Sequence, residues 1–508
     1  MKEEQLLIHR LERHADSGSY PFHMPGHKRL SFCRGGFGGE EGLSGGLQFP
    51  NPFLVDITEI DGFDNLHHPE GILKDSMEWA AGLYGADRTY YLVNGSTAGL
   101  LAAICGNTGY GGRILASRNC HKAVYHGIYL NGLKASWVYP QIIPDLGIQG
   151  GISPESVEKE LQEHPDIEAV LIVSPTYDGI VSDIETIAGL VHERGIPLIV
   201  DEAHGAHFRY GKEFPESALE LGADYVIQSV HKTLPSLTQT ALLHIRNNRP
   251  DGAAYGNSGA VEHYLQIVQS SSPSYILMAS IETGIFQMEN LKNAGVVDAY
   301  TGFLKQLRKE LGEMRCLALA GEDLAGRSAV CAVDCSKLVI STRGTGIHGE
   351  KLGNILRNRY GIEMEMCGAD HVTAISTVGD SKDGLKRLKA ALLEIDRELY
   401  LCGDCRSVSD GMDVEQDGVC DGGFLRGETV MTIREALDRR KVRKKLLEAE
   451  GEISGEYIYI YPPGIPILAP GERIGFEILE LVRDYKKKEL HLQGLKDHRA
   501  EWILTVTD

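Results

Sequence analysis

Two hydrophobic periods alternate along the chain. Between residues 61 and 300, short β-rich apolar runs recur among longer stretches whose apolar residues return every three or four positions. The β-rich runs are Arg88–Val93, Arg113–Ala116, Ala135–Tyr139, Ala169–Val173, Pro197–Val200, Tyr225–Ser229 and Ala241–Ile245. The segments between them, such as Ile184–Arg194, read as amphipathic helices. This alternation predicts a doubly wound, mainly parallel α/β sheet, and ligands of such sheets bind at the carboxyl ends of strands. A small α+β domain is predicted over 301–400, with helices Phe303–Leu311, Gly349–Arg359 and Asp383–Leu399 and strands Lys337–Thr342 and His371–Ser376. Residues 1–60 read as a helix (Leu6, Leu7 and Leu11 on one face) and an arm broken by Gly35-Gly36 and Gly45-Gly46. Residues 401–424 turn to Gly, Asp and Ser and predict a linker. The remaining 425–508 predict a C-terminal α+β domain, with a basic amphipathic helix over Thr432–Glu448 and then the β-rich Tyr457–Tyr461.

A length of 508 residues implies two to four domains. Hydrophobic and charged fractions of 42% and 24% are ordinary for a globular protein. The net charge of −20 argues against nucleic acid or an anionic membrane as partner, and suits a cationic substrate. No apolar run is long enough to predict a membrane span, and Met1–Ser17 is too charged for a secretory signal. The ten cysteines are scattered, which fits a reducing cytoplasm. Cys402 and Cys405 form one close pair, with Cys367 and Cys420 apart from it; a zinc site wants two such pairs, so these are expected to be reduced loop thiols.

The chemistry concentrates at two strand ends. Pro197–Val200 stops at Asp201-Glu202-Ala203-His204-Gly205, and Tyr225–Ser229 runs into Val230-His231-Lys232-Thr233. An amine and a carboxylate so placed suit pyridoxal 5'-phosphate: the amine holds the cofactor as a Schiff base, and the carboxylate keeps the pyridine nitrogen protonated. Asn94-Gly95-Ser96-Thr97 follows a strand and opens a helix, an arrangement that serves either as an ordinary cap or as a phosphate site. Ser229 and His231, flanking Lys232, favour the phosphate. His121, after a strand, could stack on a ring or simply bond within its loop. His204 or His207 could orient Asp201; no third ligand supports a metal there, and no phosphate-binding loop supports a helicase reading of Asp-Glu-Ala-His. Asp56, Glu59, Asp61 and Asp64, followed by His67-His68, form either an exposed acidic loop or a reader of a basic side chain.

Taken in order, several segments resemble the pyridoxal-phosphate-dependent ornithine/lysine/arginine decarboxylases. They are His23-Met24-Pro25-Gly26-His27-Lys28, Asn94-Gly95-Ser96-Thr97, Ser174-Pro175-Thr176-Tyr177-Asp178-Gly179, Asp201-Glu202-Ala203-His204-Gly205, Ser229-Val230-His231-Lys232, Ser271-Ser272-Pro273-Ser274-Tyr275 and Tyr461-Pro462-Pro463-Gly464-Ile465-Pro466. Each is weak alone; the ordered set is specific. The arm motif comes so early that the chain resembles the short form, without an N-terminal wing domain. The resemblance implies fold type I, the aspartate-aminotransferase-like fold, and a homodimer with shared active sites or a higher oligomer. It implies Lys232 as Schiff-base lysine, Asp201 as pyridine-nitrogen partner, His121 as ring-stacking residue and His204 as ring contact. Gly95, Ser96, Thr97, Ser229 and His231 would bind phosphate.

The activity it implies is loss of CO2 from a basic L-amino acid through an external aldimine and a quinonoid. The proton then returned to Cα would come from His231 or Lys232. Arginine is the favoured substrate, giving agmatine for polyamine synthesis, with lysine or ornithine as alternatives. Two rivals remain at this level: an aminotransferase or aldolase, for which Arg343 could hold the substrate carboxylate, and a non-catalytic pyridoxal-phosphate-binding regulator.

Overall fold

The computed structural model describes residues 7–29, 37, 51–247, 252–405, 427–460, 464–487 and 492–507. Leu6, the glycine pairs of the arm, Cys420, nearly all of the expected linker and Tyr461-Pro462-Pro463 lie outside these residues.

All seven expected β-rich runs join one sheet: β1 (Arg88–Leu92), β2 (Arg113–Ser117), β3 (Lys134–Val138), β4 (Ile167–Val173), β5 (Leu198–Asp201), β6 (Tyr225–Gln228) and β7 (Ala241–Ile245). Their spatial order is β1-β7-β6-β5-β4-β2-β3. β7 runs antiparallel to both neighbours, and every other pair is parallel. The central strands read as nearly continuous apolar runs because both faces are covered; each residue of β5, β6 and β7 is buried. Side chains alternate between two cores, with Val170, Ile172, Val200 and Val226 on one face and Leu171, Ile199, Ile227 and Leu243 on the other.

In the small domain, Lys337–Ser341 and His371–Ile375 form the centre of a four-stranded antiparallel sheet. It packs with the helices Val296–Leu311, Gly349–Tyr360 and Lys382–Leu401. Tyr20–Phe22 of the arm pairs in parallel with Ile362–Met364 of this domain, so the arm is tied to an element far along the chain.

Two expectations need correction. Thr432–Glu448 is not one helix. Thr432 and Glu435 cap a short helix, Ile433–Asp438, after which Lys441–Lys445 forms a strand antiparallel to Trp502–Val506. Ladder bonds to a strand sixty residues distant outweigh the local helical period. The second correction is Cys405, which forms a disulfide with Cys316, their Cα atoms 5.1 Å apart. Asp396 accepts the backbone N–H groups of Arg315, Cys316 and Leu317, which holds that segment against the helix ending just before Cys405. Cys402 stays a free, exposed thiol. Among the described residues, no helix is long and apolar enough to cross a membrane.

Candidate active site

Asp201 is the last residue of β5, and Lys232 lies on the turn Val230–Thr233 that follows β6. The two strands are parallel neighbours with Ile227 opposite Asp201, so both groups stand at the carboxyl edge of the sheet. Lys232 Nζ lies 2.9 Å from His204 Nε2. Burial lowers the Lys232 pKa, while Asp201 and Glu365 pull it back up. Burial raises the Asp201 carboxyl; the Lys232 charge and the Ala203 N–H, 3.1 Å from Oδ1, oppose it. Burial, reinforced by Lys232, holds His204 well below its ordinary value. The neutral ring accepts from the lysine at Nε2, and its buried Nδ1 has no hydrogen-bond partner among the described residues. The Tyr177 ring meets His204 edge-on, at 4.8 Å.

Around this pair the anion-binding candidates converge. Ser96 Oγ, at the start of the helix Gly95–Asn107, lies 2.6 Å from Ser229 Oγ; Thr97 beside it is exposed. His121 caps the helix Lys122–Leu130, its Nδ1 accepting the Ala123 N–H at 3.2 Å. Burial, then the nearby Lys232 charge, pushes His121 down to about 4. Burial does the same to His231, also to about 4. Its Nδ1 sits 2.8 Å from the Thr240 carbonyl, which can only accept, so the proton is on Nδ1 and Nε2 is bare. Two facing hydroxyls, a neutral imidazole, a buried amine and a buried carboxylate could receive the phosphate, ring, aldehyde and ring nitrogen of a pyridoxal phosphate.

Other sequence candidates lie elsewhere. His207 turns to Asp334 of the small domain, at 3.3 Å, rather than to Asp201. Asp64 spends Oδ1 on the N–H groups of Asn65 and Glu70 and Oδ2 on those of Gly71 and Leu73, so it shapes its loop instead of reading a substrate. Arg343 is bound to Asp370, with Nε 3.0 Å from Oδ2, and to the Pro144 carbonyl. Glu59 keeps a buried Oε1 without a hydrogen-bond partner among the described residues.

The sequence reading missed the walls. Gly26 N donates to the His231 carbonyl at 2.7 Å, and a Cβ on Gly26 would come within 2.7 Å of the Leu234 carbonyl oxygen, so only glycine lets the arm lie this close. Glu365 joins the Tyr177 hydroxyl and the Met24 N–H (2.8 Å), tying the arm and both domains together. The arm motif marks the first; nothing local marks Glu365.

Beneath Asp201, the buried Glu202 accepts from Ala218 N, Ser217 Oγ and Gln228 Nε2. Burial outweighs these bonds and pushes its carboxyl from 4.5 up to about 7. The folded protein thus keeps a proton that the unfolded chain releases. This stabilising contribution is complete below pH 4.5 and lost as pH rises through about 7. Glu202→Gln should flatten the stability–pH curve between those limits by about 1–3 kcal/mol, as read by denaturant unfolding at pH 5 and pH 8.

Comparison with known proteins is consistent along the whole chain. Residues 6–384 match the family model for the Orn/Lys/Arg decarboxylase major domain, and residues 428–497 match that for the family's C-terminal domain. The arginine decarboxylase of Bacillus subtilis (strain 168) is 31% identical over 510 residues, covering 100% of this chain and 99% of that protein. Lysine decarboxylase LdcA of Pseudomonas aeruginosa is 23% identical, covering 94% of this chain and 74% of its own. The Francisella novicida lysine decarboxylase LdcF superposes with a TM-score of 0.72 at 19% identity, covering 87% and 73% of the two chains, and so shares the fold.

Proposed function

The chain belongs to the Orn/Lys/Arg decarboxylase family, and from that premise we propose that it uses pyridoxal 5'-phosphate on Lys232 to decarboxylate arginine to agmatine. The coarser statement stands without the proposal: the protein is a decarboxylase, a lyase acting on a basic amino acid. The observation that carries the finer reading is the Lys232–His204 contact of 2.9 Å beside the buried Asp201. Arginine is favoured because full-length relatives at 31% identity are arginine decarboxylases, whereas the lysine decarboxylases stand at 23–25%.

When bound, pyridoxal phosphate supplies an aldehyde that captures amines and a protonated ring that takes up the electron pair left by CO2. The protein's part is to prepare the groups around it. A Lys232 with a lowered pKa has more of its amine neutral and nucleophilic near pH 7. Asp201, a buried carboxylate already opposed to the Lys232 charge, would hold the proton on the ring nitrogen. Ser96, Thr97, Ser229 and the amide of Gly95 would take the phosphate, and neutral His121 would lie against the ring; His231, whose one ring N–H is given to the Thr240 carbonyl, has no ring donor left for it. With its proton on Nδ1 and its pKa near 4, His231 is a poor acid. Returning a proton to substrate Cα therefore falls to Lys232 Nζ, with His204 Nε2 holding that nitrogen in place.

Arg343, which an aminotransferase would turn toward the substrate carboxylate, is engaged by Asp370. The exposed apolar side chains Phe53 (93%) and Leu54 (80%), on the helix Pro52–Val55 that lies beside the helix Tyr275–Asn293, support a second copy of the chain as partner. Domain limits near 60, 300 and 400 follow the same reading. The test is incubation of the loaded protein with arginine, lysine and ornithine. Agmatine and CO2 should form from arginine at least about tenfold faster than either other amine forms. A keto acid with no CO2 would refute decarboxylation.

A further inference from the structure

Arg118 stands between β2 and His121, and its guanidinium is buried, 1% exposed. Two of its anchors, Glu472 and Pro466, belong to the C-terminal domain. Its NH2 lies 3.1 Å from each carboxylate oxygen of Glu472, and its NH1 donates to the Pro466 carbonyl at 2.8 Å. NH1 also donates to the Tyr125 hydroxyl, which in turn donates to the Arg118 carbonyl at 3.2 Å. The Tyr125 and Trp137 rings, stacked at 5.0 Å, flank the cation at 5.5 and 5.3 Å. Burial, the largest influence, would lower the Arg118 pKa, but Glu472 together with Tyr125, Tyr139 and Cys120 more than reverses it, so the cation is held charged.

The C-terminal side is built for the same contact. Gly471 has φ +90°, and a Cβ there would come within 2.4 Å of the Met431 carbonyl oxygen. That turn carries Glu472 back toward the sheet, where Oε2 also takes the Ala469 N–H at 2.8 Å. On the other side of Arg118 the chain has little freedom. Arg118 N bonds the Val138 carbonyl at 2.8 Å, Cys120 N the Ser117 carbonyl at 3.1 Å, and His121 then opens its helix.

We propose that Glu472 is a positioning residue: through Arg118 it sets the loop 118–121 and so the plane of the His121 ring, making the C-terminal domain part of the active site's scaffold. The inference rests on the cofactor reading for what His121 touches, but not for the loop's order. An ion pair serving only to hold two domains together would be replaceable by apolar residues of similar size, often without loss. One serving to orient the loop would not be.

Two full-length variants test this. Glu472→Gln removes the charge. The double variant Arg118→Met/Glu472→Met fills the space and keeps the protein folded should the first fail to fold. Backbone amides at 119–123 of the cofactor-free protein should exchange with solvent at least about tenfold faster in both variants. In the loaded enzyme, the visible circular dichroism of the cofactor should change and kcat should fall roughly 10–100-fold, with KM moving less than about threefold. Arg434→Ala provides the contrast. Its guanidinium also crosses to the large domain, at the Leu130 carbonyl 3.2 Å away, and its loss should leave all three readouts unchanged. Native exchange, dichroism and kcat in the double variant would overturn the proposal, as would equal effects from Arg434→Ala. If wild-type protein neither binds pyridoxal phosphate nor releases CO2, the functional reading fails while the exchange experiment still decides the loop.

Discussion

Lys232→Ala should remove essentially all turnover, roughly a thousandfold or more, because no other amine stands where this one does. Lys232 Nζ is the amine set against His204 Nε2 and close enough to Asp201 for each charge to shift the other. Lys28 is buried too, but its ammonium is committed to the carbonyls of His23 and Ile375, each at 2.8 Å. The chemical check is borohydride reduction of the loaded protein followed by peptide mass analysis. The wild type should carry the reduced cofactor on the peptide containing Lys232, and the variant should carry none. Wild-type label on any other lysine would sink the assignment.

Asp201→Asn should cost nearly as much, by another route. The carboxylate is 4% exposed and faces Lys232, so its removal strands a buried cation. Breaking such a pair costs about 3–5 kcal/mol, which corresponds to roughly a hundredfold or more in rate if the loss falls on the transition state. The amine should also deprotonate at lower pH, since the carboxylate is the leading influence raising the Lys232 pKa. Titrating the colour of the bound cofactor against pH should therefore show a shifted midpoint together with the reduced kcat. A wild-type midpoint and rate would show that Asp201 does not face the ring.

Why were some features legible in the sequence and others not? The central strands β5, β6 and β7 are short, mostly apolar runs buried on both faces, and burial of that kind is a local signal. Asp201 and Lys232 could be placed because each follows such a run directly, and a strand end in a doubly wound sheet is a position with meaning. Ser96 and Ser229 were candidates separately; only the sheet order, which sets β1 two strands from β6, explains their meeting at 2.6 Å. Glu365 could not be read, since its contacts cross hundreds of residues and leave no local pattern; Gly26 was marked by the arm motif, but not the close approach to His231 that requires it. Asp64 stayed open between loop and ligand because a carboxylate bonded to backbone amides has the same composition as one awaiting a ligand. Lys441–Lys445 misled because its partner strand comes at the end of the chain.

The turn bearing Lys232 is closed on one side by Gly26, whose carbonyl is gripped by Thr377 Oγ1, 351 positions later. During synthesis the arm leaves the ribosome long before the surface that receives it exists. Sheet and lysine can assemble early, but the enclosure that tunes the amine forms only when residues beyond 377 emerge. A chain halted short of that point would bear an untuned lysine at an open sheet edge, so competence arrives late and all at once.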